Sequence, residues 1–178
     1  MLRAIGRFRL RGMGLAVPDG VLPNAELAGL GGLDAEAIER RTGIRERHIA
    51  GHDDLVTDLG ARAGRQALTE AGVSGTSVDL VVLSTYTPDH PLCPSAPTLA
   101  HRLGATKAGA FDVNGACSGG VTALLTASSL LGTGVFQRAL VVSADLTTKF
   151  LDPMDPKARL VFGDGAAALL IDRAEEDG

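Results

Sequence analysis

The stretch Ala110–Leu131, AFDVNGACSGGVTALLTASSLL, decides how this sequence is read. Ala110–Val113 is a short strand-forming run. Gly119–Leu131 is apolar nearly all round and stops at Gly132, the pattern of a helix buried in the middle of a protein. Cys117 thus falls where a buried strand hands over to a buried helix. Unpaired backbone N–H groups and the positive end of the helix dipole favour a thiolate at such a junction. A thiolate is the nucleophile that acyl transfer from a thioester requires. The glycines at 115, 119 and 120 let backbone and substrate approach the sulfur closely. Free cysteine is also among the most buried residue types, so the spacing alone leaves an inert structural thiol open.

Outward from this junction the elements alternate. Ile5–Val17 suits a strand before the turn Pro18-Asp19-Gly20, and Asp34 reads as the N-cap of a short helix, Ala35–Arg41, closed near Gly43. A second helix spans about Thr57–Ala71 and ends at Gly72. Val78–Ser84, containing DLVVLS, is a continuous apolar run of strand length, the kind buried on both faces. A helix over Ser95–Leu103 closes at Gly104, and Ala139–Ser143 and Ala166–Ile171 supply two more strands. Strands separated by helices predict an α/β layered sheet with right-handed crossovers.

The 178 residues, 45% hydrophobic and 21% charged, suffice for one soluble domain. A net charge of −4 argues against a nucleic-acid partner, since phosphate binding needs a basic surplus. The charge is uneven: residues 1–50 hold eight arginines and six acids, so any basic patch should involve that segment. With Tyr86, five Phe and no Trp there is no aromatic platform for single-stranded nucleic acid. Cys93 and Cys117 are too few for a tetrahedral metal site or a disulfide framework, and no CxxC spacing accompanies them. The start lacks a continuous apolar segment and no run is long enough to cross a bilayer, so a cytoplasmic protein outside the membrane is expected. The polar end, Arg173–Gly178, reads as a surface terminus or a cut connection.

Four motifs carry a resemblance. Arg41-Thr-Gly-Ile-Arg-Glu-Arg-His48, Ala110-Phe-Asp-Val113 leading to Ala116-Cys117, Ala139-Leu-Val-Val142 and Phe162-Gly-Asp-Gly165-Ala are similar, in order and spacing, to motifs of type III β-ketoacyl-ACP synthases of the thiolase superfamily. The similarity runs from about Gly12 to Ile171, although those enzymes are about twice as long. It implies a thiolase-like half: a mixed five-stranded sheet layered with helices, αβα, forming a single N-terminal domain over 1–178 and requiring a second, matching half. In the family the cysteine takes an acyl group from acyl-CoA or acyl-ACP, and the enzyme condenses it with malonyl-ACP, releasing carbon dioxide. Cys117 falls on that catalytic cysteine. The phosphopantetheine thioester is then a substrate, and no tightly bound cofactor is expected.

The resemblance also marks what is missing and what departs. The family's histidine and asparagine lie in its second half, and His48, His52, His90 and His101 match neither motif. This implies a split enzyme: a second polypeptide carrying the C-terminal thiolase-like half would supply both groups, and the paired halves could dimerise. Aligned on Arg41-Thr42-Gly43, the tryptophan that stacks on the adenine of CoA falls on Ala37. Aligned on Asp152-Pro153 and Gly163-Asp164-Gly165, the arginine on the other side of that adenine falls on Pro156. Arg41 and Thr42, which match the mouth of the family's pantetheine tunnel, are retained as substrate-binding residues. Arg40, Arg45 and Arg47 add positive charge suited to an acidic acyl carrier protein, while Glu39 and Glu46 leave a solvated charged stretch open. Cys93 falls where the family often carries an aromatic that closes the acyl pocket across the dimer, and a smaller residue there could admit a larger acyl group; a core or interface cysteine is the alternative. Phe162 matches a phenylalanine beside the family's active site, and Gly163-Asp164-Gly165 could serve only a tight turn. Three alternatives remain at this stage: a non-catalytic scaffold or chain-length subunit paired with another ketosynthase, a cysteine acyltransferase without decarboxylation, and a fragment or degenerate gene product rather than a natural split subunit.

Overall fold

The computed structural model describes residues 7–152 and 155–174. Ile5 and Gly6 of the expected first strand, Pro153, and Glu175–Gly178 of the polar end lie outside the described residues, as does the side chain of Pro156. In chain order the elements are β1 (Phe8–Ala16), β2 (Gly20–Pro23), α1 (Ala35–Thr42), β3 (Glu46–Ile49), α2 (Val56–Glu70), β4 (Leu80–Ser84), α3 (Ala96–Arg102), β5 (Gly109–Val113), α4 (Gly119–Gly132), β6 (Arg138–Asp145), α5 (Pro156–Val161) and β7 (Gly165–Arg173). Short 3-10 turns join several of them.

The chain divides into two compact units. The larger comprises residues up to Ala16, Leu55–Asp145 and the chain from Ala166. Its sheet has the strand order β1-β7-β6-β4-β5, with β4 parallel to both β5 and β6 and β1 antiparallel to β7. This is the mixed five-stranded sheet expected of a thiolase-like half. All five residues of β4 are buried, as a central strand covered on both faces must be. The pleat divides the layers. Leu80, Val82 and Val141 join Ala123, Ala127 and Leu131 of α4 in one core. On the opposite face Leu140 and Val142 pack against α2 at Gly64 and Gly60, together with Leu99 and Leu103 from the α3 region. Apolar residues on both sides of alternating strands thus become an αβα sandwich.

The sequence predicts α4 to be buried all round, and the structure differs: Val121 and Leu125 are 63% and 44% exposed. One face of α4 meets the sheet and the other carries apolar side chains into solvent.

The smaller unit comprises Val17–Asp54 and Leu146–Gly165. Asp34 caps α1 as expected, accepting from Ala37 N–H at 2.7 Å, and Gly43 closes it in the left-handed conformation at φ +74°. The antiparallel hairpin of β2 and β3 has no counterpart in the sequence reading. Its strands are four residues each and separated by α1, so alternation is too short to register. Leu27, Ile38 and Leu160 form this unit's core.

Candidate active site

Past the end of β5, Thr85 N–H donates to Val113 O at 3.1 Å, so strand pairing continues to the last residue before the turn. The chain then enters a 3-10 turn, Ala116–Ser118, that leads directly into α4. Ala116 has φ +44°, the only positive φ at a non-glycine among the described residues. A side chain in that region costs about 1–2 kcal/mol, and strain of this kind persists where the surroundings over-determine it. Here the turn is tied by Ser118 Oγ and Ser118 N–H, both donating to Gly115 O at 2.8 and 3.0 Å. The start of α4 presses on the end of β4: a Cβ on Gly119 would stand 2.3 Å from Ser84 Oγ. Cys117 is carried on this strained turn with its thiol free and exposed. That exposure removes the buried-thiol reading. It also stands at the carboxyl ends of the parallel strands, where open α/β sheets place their ligands.

Three aspartates that the sequence reading missed organise the same edge. Asp145 Oδ1, at the end of β6, accepts from Thr85 Oγ1 at 3.0 Å, Tyr86 N–H at 2.9 Å and Thr87 Oγ1 at 3.3 Å. Burial pushes its carboxyl above the ordinary aspartate value, against the opposing pull of these hydrogen bonds. Asp112 accepts from Ser95 and Ala96 N–H, both at 2.7 Å, and so caps α3 from a neighbouring strand. Asp89 accepts from Val56 N–H at 2.7 Å and Thr57 Oγ1 at 2.6 Å, capping α2. The loop 85–95 is therefore pinned at both ends, while its tip, with Cys93 exposed and Leu92 96% exposed, projects freely. Cys93 is no core cysteine. An acid closing an apolar strand, as in Ala139–Asp145, is the one signal that could have flagged Asp145.

In the smaller unit Arg41 is exposed in the last turn of α1. Thr42 Oγ1 donates to Ile38 O at 2.8 Å and accepts from Ile44 N–H at 3.1 Å, so its hydroxyl is engaged in closing the helix. The expected basic stretch is smaller than the sequence suggests. Arg45 pairs with Glu39 at 2.8 Å, which raises its pKa. Arg47 is only 4% exposed and belongs to no surface patch. Its guanidinium donates to Asn24 Oδ1 at 2.5 Å and to Leu160 O, and burial lowers its pKa. Arg40, Arg41 and the Glu39-paired Arg45 are the exposed arginines of this stretch.

Phe162 follows α5 and lines a cavity of about 330 Å³ with Leu22, Ile49, Ala50 and Leu151. Asp164 does more than serve a turn. Its carboxylate accepts from Ala50 N–H at 2.7 Å, Thr148 N–H at 2.8 Å and Thr148 Oγ1, and its own N–H donates to His48 O at 2.9 Å. Arg47 and Asp164 thus lash the Leu160–Asp164 segment to β3. Cys93 and Cys117 lie in the larger unit, and Arg41, Thr42 and Phe162 in the smaller. Among the described residues no group of three His, Cys, Asp or Glu could hold a metal ion, and no helix is long and apolar enough to cross a membrane.

The fold is that of a thiolase-like half. Residues 111–178 match the family model for 3-oxoacyl-[acyl-carrier-protein] synthase III. Over 178 residues the chain is 41% identical to the β-ketoacyl-[acyl-carrier-protein] synthase III of Brucella anthropi, covering all of this chain and 54% of that protein. It is 44% identical to the acetoacetyl CoA synthase NphT7 of Streptomyces sp. over 167 residues, which is 93% of this chain and 50% of that one. The crystal structure of FabH, the 3-oxoacyl-(acyl carrier protein) synthase III of Pseudomonas aeruginosa PAO1, superposes with a TM-score of 0.88 at 40% identity, covering 96% of this chain and 51% of that chain. The chain resembles half of a type III β-ketoacyl-ACP synthase, and it spans about half the length of the curated relatives it matches.

Proposed function

We propose that this chain is the cysteine-bearing subunit of a split, type III-like condensing enzyme in fatty-acid or polyketide biosynthesis. The observation that carries the reading is Cys117 itself: an exposed thiol on a strained turn between the carboxyl end of a parallel strand and the start of α4. In the proposed reaction the thiolate attacks the carbonyl carbon of an acyl-phosphopantetheine thioester. The tetrahedral intermediate collapses with loss of the pantetheine thiolate, leaving the acyl group on Sγ. Condensation with malonyl-ACP needs a histidine and an asparagine that a second, thiolase-like polypeptide would bring. The apolar residues exposed on α4, Val121 and Leu125, suit cover by such a half. The paired halves could in turn dimerise.

Arg40 and Arg41 are a modest docking surface for an acidic carrier protein, and the loss of both adenine-stacking residues weighs against CoA as the donor. Incubation with acyl-ACP or acyl-CoA, with and without the presumed partner half, tests the reading by intact mass. Acylation that Cys117→Ala abolishes is the expected outcome. No acylation under any pairing, or an assembled enzyme indifferent to Cys117→Ala, would move the chain to the scaffold role. Acyl transfer to an acceptor without release of carbon dioxide would make it a plain acyltransferase.

A further inference from the structure

The strand β1 is an edge of the five-stranded sheet, and edges with free N–H and C=O groups recruit foreign strands. Gly12 and Gly14 let α2 lie backbone to backbone on this strand. A Cβ on Gly12 would stand 2.2 Å from Ala67 O, and one on Gly14 would stand 2.0 Å from Ala63 O. At that distance short side chains of α2 reach around the strand. Met13 N–H donates to Glu70 Oε2 at 2.6 Å, and Leu15 N–H donates to Gln66 Oε1 at 2.7 Å. Alternation along an antiparallel strand aims these two N–H groups away from β7.

The spacing match explains why two side chains suffice. Residues i and i+4 of a helix are separated by about 6 Å along its axis, and residues i and i+2 of a strand by about 6.7 Å. Gln66 and Glu70 therefore stand in step with Leu15 and Met13. At Arg11 the register with β7 slips, a bulge that bends the edge, and Arg11 lies 3.7 Å from Asp172. Charge and bulge block one half of the edge, and the two acceptors occupy the other.

We propose that Gln66 and Glu70 act as a surrogate strand that seals the β1 edge, so that this sheet cannot be extended by strand addition at β1. The seal is independent of any acyl chemistry at Cys117.

Residue-resolved hydrogen exchange on the full chain tests it. The Met13 and Leu15 amides, which an unsealed edge would leave open, should exchange at least about tenfold slower than unprotected amides. In Gln66→Ala/Glu70→Ala that protection should be lost at Met13 and Leu15 and kept at Gly14, whose N–H faces β7. Gln66→Glu/Glu70→Gln retains both acceptors and should behave as the parent does. Sedimentation should then show concentration-dependent association of the alanine pair beyond the parent, suppressed by adding Leu15→Pro, which removes an outward donor without touching the β7 ladder. Unprotected Met13 and Leu15 amides in the parent, or equal losses in the alanine pair and the acceptor-retaining pair, would overturn the proposal.

Discussion

At the scale of single residues, the two most informative positions are Ala116, next to Cys117 in the chain, and Asp145 at the end of β6. Ala116 holds φ +44°, so glycine there should relieve strain that offsets its greater freedom in the unfolded chain. Ala116→Gly is expected to leave the thermal midpoint unchanged or raise stability by up to about 1 kcal/mol, against the loss of about 0.5–1 kcal/mol usual for Ala→Gly in regular structure. A clear fall in the midpoint would show that Ala116 is not strained. Asp145 gives a pH signature. Its carboxyl is held above the ordinary value of 3.8, chiefly by burial, so the folded state binds a proton more readily than the unfolded one. Its contribution to stability therefore declines as pH rises through and above that ordinary value. Asparagine can keep the bonds from Thr85 Oγ1, Tyr86 N–H and Thr87 Oγ1, each of which is accepted by Oδ1. Asp145→Asn should flatten this part of the pH dependence and be at least as stable as the parent at neutral pH, as denaturant titrations across pH would report.

At the scale of elements, contacts between a helix and a strand matter more than propensity. Gly14 looks in the sequence like an interruption of a strand, yet it is the point where α2 touches β1. Gly14→Ala would drive a Cβ to 2.0 Å from a backbone oxygen, which cannot swing aside as a side chain can. A loss of about 2 kcal/mol or more in unfolding free energy is expected, at the upper part of the range for overpacked cores. The helix ends show a second kind of dependence. Asp34 caps α1 from the adjacent position and was legible as such, whereas α2 and α3 are capped by Asp89 and Asp112 from distant parts of the chain. No local pattern encodes a cap donated across space.

At the scale of the whole molecule, one sheet face is only partly covered. Gly12 and Gly14 face α2, so Met13 and Leu15 point to the side that carries α4, where they are 51% and 74% exposed, with Val121 and Leu125 exposed on that helix. Replacing Val121 and Leu125 by serine should at least halve the binding of an apolar dye such as ANS while changing unfolding free energy by less than about 0.5 kcal/mol each, as exposed substitutions do. A large loss of stability would mean that these side chains are part of the core. The sequence by itself determined the order of strands and helices in the larger unit, the Asp34-capped α1, the α/β class, and the strand-to-helix junction at Cys117, because periodicity, glycine stops and a nearby cap act over a few residues. Only the tertiary structure decided that Arg47 is buried under Leu160 and Asn24, that Asp145, Asp112 and Asp89 organise the loop 85–95, and that α4 is exposed on one side. Each of these depends on groups brought together by the pairing of strands far apart in the chain, and a hydrogen bond between such groups leaves no period in the sequence.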